Sequence, residues 1–97
     1  MERFEENAYR GVYELVSNSE GPISATVLSQ EVDSEEHARD FSSLGETPRR
    51  KALVILLADL VQQRALESTP EGLIIPKRAS SLDEALDDLK KTGLIRV

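Results

Sequence analysis

A length of 97 residues with 39% hydrophobic and 31% charged side chains predicts one small soluble domain over residues 1–97 rather than a disordered chain. With no cysteine and one histidine, the chain offers no disulfide framework and no thiolate zinc site, so we expect no metal or other cofactor. The acidic N-terminus lacks the apolar core of a signal peptide, and the longest apolar run, residues 52–58, is too short to span a bilayer. We therefore expect a cytoplasmic protein.

The first predicted elements are two helices separated by a turn. Apolar residues recur at helical spacing through residues 2–17, which predicts an amphipathic helix that ends near Gly21. Pro22 sets the turn, and Ser24 caps a short second helix. Capping-box spacing within residues 33–41 predicts a further helical turn or two. The residues predicted to point inward are Phe4, Ala8, Val12, Leu15, Val16, Ala25, Leu28 and Val32.

A long helix and a hairpin are predicted next. Thr47 as the N-cap and Pro48 at the first helical position predict a helix over residues 48–65. Turn-forming residues occupy positions 68–72, between two short β-prone stretches, so this segment predicts a small β-hairpin or wing. The two stretches that would pair are residues 65–67 and 73–75.

The last helix has the clearest end signals in the chain. Ser81 is followed three residues later by glutamate, as in a capping box, two lysines lie at the negative end of the helix dipole, and Gly93 matches a Schellman stop. These signals predict a helix over residues 82–92. Its apolar stripe, which should pack on the rest of the domain, is Leu82, Ala85, Leu86 and Leu89, and the short strand predicted after it contains Leu94, Ile95 and Val97.

The order of these elements resembles the winged-helix family of helix-turn-helix proteins. Residues 21–32, GPISATVLSQEV, are similar to the turn and second helix of that family, and residues 54–76 are similar to its third helix and wing. The resemblance covers residues 4–78, with a segment of about fourteen residues inserted between the second and third helices. It implies a mainly α-helical α+β fold with a small hairpin and an additional C-terminal helix.

The third helix carries apolar residues on the side that would face DNA. In the winged-helix alignment, Ile55, Leu56 and Leu60 face outward. Base edges and phosphates require hydrogen-bond donors and cations, so these aliphatic residues favour a surface for another protein or for a second copy. The alternative is that residues 33–46 and the last helix cover them. The residues predicted to face the core are Val54, Leu57, Ala58 and Val61.

Cations cluster at the start of the third helix and after the wing. Residues 47–78 carry a net charge of +3, whereas residues 1–46 carry −8. Three cations in the first turn of a helix oppose its dipole, which indicates an anion contact with DNA phosphate or with an acidic protein surface. The alternative is pairing with the acidic run within residues 33–40. The cations concerned are Arg49, Arg50 and Lys51, together with Lys77 and Arg78 after the wing.

These patterns favour binding functions over catalysis, because the sequence contains no nucleophile–base set and no glycine-rich phosphate loop. The leading hypothesis is a non-enzymatic regulatory or adaptor module that acts by protein–protein interaction or forms a homodimer, with no small-molecule substrate and no membrane contact. The first alternative is a DNA-binding winged-helix transcription regulator. A weaker alternative is a small acidic inhibitor that mimics the charge of nucleic acid, suggested by the first half of the chain.

Overall fold

Four α-helices and one antiparallel hairpin make up the described part of the chain. The computed structural model describes residues 4–32 and 48–95, and the helical turn predicted within residues 33–41 lies outside them. In chain order the elements are α1 (Glu6–Ser17), α2 (Ala25–Val32), α3 (Arg49–Gln62), β1 (Glu67–Thr69), β2 (Gly72–Ile74) and α4 (Leu82–Lys91). The predicted fold class, mainly α with a small β-hairpin, is confirmed.

The N-termini of α2 and α4 are capped as their sequences predict. The Ser24 hydroxyl accepts a hydrogen bond from the Val27 N–H at 3.2 Å, and the Ser81 hydroxyl accepts one from the Glu84 N–H at 3.1 Å. Each bond satisfies one of the N–H groups that the first turn of a helix leaves without an intrahelical partner. Both helices therefore begin where a local signal within three residues directs them to begin.

The helix α3 is shorter at both ends than its sequence pattern predicts. Pro48 precedes the helix instead of occupying its first position, with a ψ angle of 133°. At the other end, Arg64 adopts a φ angle of +64°, in the left-handed region, so the helix ends at Gln62. The N–H of Ala65 then donates to the Leu60 carbonyl at 3.0 Å, which gives the reversed backbone of a Schellman motif.

Replacing Arg64 by glycine should stabilise the domain by about 0.5–1 kcal/mol, because glycine adopts this φ angle without a Cβ penalty. The Arg64 side chain makes no hydrogen bond or ion pair with the described residues, so little is lost with it. The measurement is the urea midpoint of Arg64→Gly against wild type. Arg64→Ala is the control, since it removes the side chain but keeps Cβ, and an equal gain in that variant would contradict the backbone explanation.

Ile23, β2 and β1 lie side by side in extended conformation. β1 and β2 pair antiparallel, with Ser68 opposite Leu73, so the predicted hairpin is confirmed with its turn at residues 70–71. Leu73 exchanges two backbone hydrogen bonds with Ile23, of 2.8 and 3.1 Å. This pairing joins the turn before α2 to the hairpin and so forms one side of the site described below.

The two described ends of the chain also meet. Phe4 forms a parallel β-bridge with Ile95, and both side chains are buried. The helix predicted from residue 2 begins at Glu6, and Phe4 takes part in this pairing instead. Of the predicted C-terminal strand, only Ile95 takes part in this isolated bridge among the described residues, and Val97 lies outside them.

α1 lies at the centre of the packing and contacts α2, α3, α4 and β2. Tyr9 is buried, and its hydroxyl donates a hydrogen bond of 2.6 Å to Oδ2 of Asp59, which ties α1 to α3. Burial and the neighbouring Asp59 carboxylate raise the pKa of Tyr9 far above its ordinary value, so the hydroxyl stays protonated as the donor.

Charged side chains link α1 to α4 at the surface. Arg10 donates to Asp83 at 3.0 Å and to Glu6 at 3.3 Å, and Lys90 pairs with Glu6 at 2.5 Å. The Lys90 hydrogen bond holds the pKa of Glu6 below its usual value. Because these groups are partly or largely exposed, the pairs orient the two helices and contribute little to the free energy of unfolding.

The inward face of α3 differs from the predicted one. Leu56 and Leu60 are 1% and 0% exposed, and Ile55 packs half-buried against the core, whereas Val54 is 66% exposed. The expectation that Leu56 and Leu60 face outward is therefore wrong, since both are buried, whereas Ile55 keeps part of its side chain exposed. The observed face is turned by about one residue, or roughly 100°, from the predicted one. The reason is that every residue from 52 to 58 is apolar, so the pattern leaves the rotation of the helix undetermined.

Candidate functional site

An open groove lies between the outer face of α3, the start of α2 and the hairpin. It encloses about 480 Å³, and apolar side chains make up most of its surface. On α3 it is lined by Val54, Leu57, Ala58 and Val61, on the α2 side by Ser24 and Ala25, and on the hairpin by residues 68–73. The rotation of α3 that buries Leu56 and Leu60 is also what places Val54 and Ala58 at this surface.

The groove continues toward the N-terminus of α3. A second depression of about 230 Å³ shares Ala25, Val54 and Leu57 with the first and extends to Arg50. Its remaining lining residues are Thr26, Ser29 and Leu53. We call the two depressions together the α3 groove. It runs from Arg50 at one end to the hairpin turn at the other.

Two of the hydroxyl groups along the groove already take part in local hydrogen bonds. The Ser24 hydroxyl caps α2, and the Thr69 hydroxyl donates to the Gly72 carbonyl at 2.7 Å. The surface offered to a ligand is therefore mainly aliphatic, with Val54 the most exposed large apolar side chain in the described residues. Such a surface suits aliphatic side chains of a polypeptide better than a polar small molecule.

The two ends of the α3 groove carry opposite charges. Arg50 lines the end at the start of α3, and Glu71 lines the end at the hairpin turn. Both residues are exposed, and neither forms an ion pair or a side-chain hydrogen bond with any residue of segments 4–32 and 48–95. A ligand that fills the groove would therefore meet a cation at one end and an anion at the other.

The structure separates the cations that the sequence grouped together. Lys51 is exposed in the first turn of α3, whereas Lys77 and Arg78 are exposed on a turn closed by the Ala79 N–H and the Pro76 carbonyl. The Ser80 N–H donates to the Arg64 carbonyl at 3.1 Å, which places that turn beside the far end of α3. The two groups of cations therefore lie near opposite ends of a helix about 20 Å long. The side chain of Arg49 and the acidic run at residues 33–40 lie outside the described residues.

Val54, Ala58 and Ala25 are predicted by the sequence pattern to face the core, but all three are exposed along the α3 groove. One signal pointed to such a surface: α3 is apolar nearly all round, which indicates contacts on more than one side. The pattern did not show which side the core takes. Leu57 belongs to both predicted and observed inward faces and forms the floor between core and groove.

Comparisons with protein families, with curated proteins and with solved structures find no match for this chain. Within residues 4–32 and 48–95, no three His, Asp or Glu side chains come together as a metal site. No helix of that part is long and apolar enough to cross a bilayer. The class of protein is therefore defined by its fold and groove: a small α+β domain with an open, mainly aliphatic groove on its third helix.

Proposed function

We propose that this domain is a non-enzymatic regulatory or adaptor module that binds a polypeptide in the α3 groove. The observation that carries the proposal is Val54, a branched aliphatic side chain that is 66% exposed within a continuous apolar groove. Apolar surface removed from water contributes about 25 cal/mol per Å², so covering this groove is favourable. The core of the domain does not cover Val54, because the opposite face of α3 is the one that packs against the core.

We further propose that the domain has winged-helix-like architecture. Three helices precede a two-stranded antiparallel hairpin, in the order that the sequence resemblance implies, and α4 packs on α1 as an addition. The α3 groove then occupies the third helix and the hairpin, which are the elements that the resemblance associates with binding. The proposed ligand is a polypeptide instead of DNA, because the exposed centre of α3 is aliphatic.

The occupant that the groove favours is a segment with aliphatic side chains in its middle and charges at its ends. An acidic group would lie near Arg50 and a basic group near Glu71, since each of these side chains is exposed at its end of the groove. Charge pairs at the rim favour one orientation of the bound segment and speed its association, while the apolar centre supplies most of the affinity.

DNA binding by this surface has weaker support. Arg50 and Lys51 are exposed at the start of α3, as phosphate contacts would require, and so are Lys77 and Arg78. Between the two cationic groups, however, the helix presents aliphatic side chains and the hairpin turn presents Glu71. Base edges require donors and cations at those positions, so DNA binding remains the second hypothesis.

The proposal is tested by site-specific photocrosslinking in the cells that make the protein. A photoreactive amino acid in place of Val54 should give a covalent adduct with another polypeptide, because that side chain lies inside the proposed contact. The adduct is measured by mass spectrometry, which also identifies the linked chain. Adduct yield should fall at least about tenfold when Ala58→Asp introduces a charge into the groove.

The matched control uses the same photoreactive residue in place of Val27. Val27 is also an exposed valine, 42% accessible, on a neighbouring helix, but it does not line the α3 groove. Adducts from position 54 and none from position 27 support the proposed function. Equal yields at both positions, or none at position 54, would overturn it.

A further inference from the structure

We infer that the polypeptide bound in the α3 groove is a second copy of this chain, held by two symmetry-related pairs between Arg50 and Glu71. This inference rests on the proposed function and names the partner of the same groove. It commits to a two-fold symmetric contact in which α3 of one copy lies antiparallel to α3 of the other, with Val54 near the axis.

The α3 groove is complementary to a second copy of itself. One end presents Arg50, the middle presents Val54 and Ala58, and the other end presents Glu71. A rotation of 180° about an axis through the middle exchanges the two ends, so it places a cation opposite an anion twice and an apolar centre opposite an apolar centre. A groove with like charges at both ends would repel its own copy.

The charge of the whole chain opposes self-association. Each copy carries a net charge of −6, so two copies repel at a distance, and a contact that brings opposite charges together locally offsets part of that repulsion. Residues 1–46 carry −8, and residues 47–78, which contain α3 and the hairpin, carry +3. Contact through α3 and the hairpin therefore joins parts of the two copies that repel less than the two acidic halves would.

Neither of the two charges at the ends of the groove has an ion-pair partner among the described residues. Arg50 and Glu71 are exposed and form no ion pair with the residues that the structure describes. By contrast, Glu6, Arg10, Asp83 and Lys90 at the surface between α1 and α4 form a connected set of pairs. Arg50 and Glu71 are therefore available at the two ends of the groove, where an antiparallel second copy would pair them.

The test is sedimentation equilibrium of the full chain from about 10 µM to about 1 mM, a range that covers contacts of modest area. Wild type should show a concentration-dependent monomer–dimer equilibrium. Val54→Asp should weaken dimerisation at least about tenfold, because it introduces a charge at the apolar centre. Val27→Asp is the matched control and should leave the dissociation constant unchanged, with circular dichroism confirming that both variants fold.

Charge reversal tests the stated pairing. Arg50→Glu or Glu71→Arg alone should weaken dimerisation at least about fivefold, since each places like charges together at both ends of the interface. The double variant carrying both changes should recover affinity to within about threefold of wild type, because it restores both pairs in reverse. If the single variants weakened dimerisation by damaging the fold, combining them in the double variant would not restore affinity.

A wild type that stays monomeric throughout the range would overturn the inference, and so would a double variant that fails to recover. Either result leaves the proposed function standing if position 54 still crosslinks to a different protein in cells. The absence of any position-54 adduct would overturn both. An adduct with twice the mass of the chain supports a second copy as the partner, and an adduct of another mass indicates a different protein. The mass of the adduct therefore distinguishes failure of the partner assignment from failure of the proposed function.

Discussion

Leu56→Glu is expected to remove a large part of the free energy of unfolding of the domain. Leu56 is 1% exposed on the inward face of α3, so the new carboxylate would be buried without a partner or would force the helix away from α1. Substitutions of this kind cost more than about 4 kcal/mol. A small domain has about 5–15 kcal/mol of unfolding free energy in total. The measurement is the far-ultraviolet circular dichroism signal together with its urea unfolding curve.

Val54→Glu is the matched control for that experiment, two residues earlier on the same helix. Because Val54 is exposed, the change should alter the free energy of unfolding of the monomer by no more than about 0.5 kcal/mol. The pair of variants measures the rotation of α3 directly. Unfolding by Val54→Glu with tolerance of Leu56→Glu would contradict the observed face and restore the one that the winged-helix alignment predicts.

Gly72→Ala should destabilise the domain by about 2–5 kcal/mol, the combined effect of a backbone clash and an unfavourable φ angle. A Cβ at this position would lie 2.7 Å from the carbonyl carbon and oxygen of Ile23, and the φ angle of +138° is one that residues with a side chain rarely adopt. The backbone of Ile23 cannot move away without losing its hydrogen bonds to Leu73. The expected result is a lower urea midpoint and faster amide exchange at Leu73.

Gly21→Ala serves as the control for the loss of glycine. A Cβ at Gly21 would meet nothing within 4 Å, so the free energy of unfolding should stay within about 0.5 kcal/mol of wild type. If Gly72→Ala were equally neutral, the close approach of the hairpin to Ile23 would not be what positions the hairpin wall of the α3 groove.

Short sequence patterns were sufficient to predict the elements whose signals are local. The caps of α2 and α4 each join a hydroxyl to an N–H three residues later, and the stop at Gly93 depends on one φ angle. The hairpin follows from a turn flanked by β-prone residues. These groups are neighbours in the chain whatever the rest of the fold does, so their geometry is encoded in short patterns and the fold class could be predicted.

The tertiary structure decided the features that depend on distant residues. Phe4 pairs with Ile95 at the other end of the chain, and Tyr9 reaches Asp59 fifty residues away. No short pattern encodes either contact. The rotation of α3 is of the same kind, because an apolar run from residue 52 to 58 packs acceptably on several faces, and its neighbours select one. That choice buries Leu56 and exposes Val54, so the candidate site was decided by packing rather than by the sequence pattern of the helix that carries it.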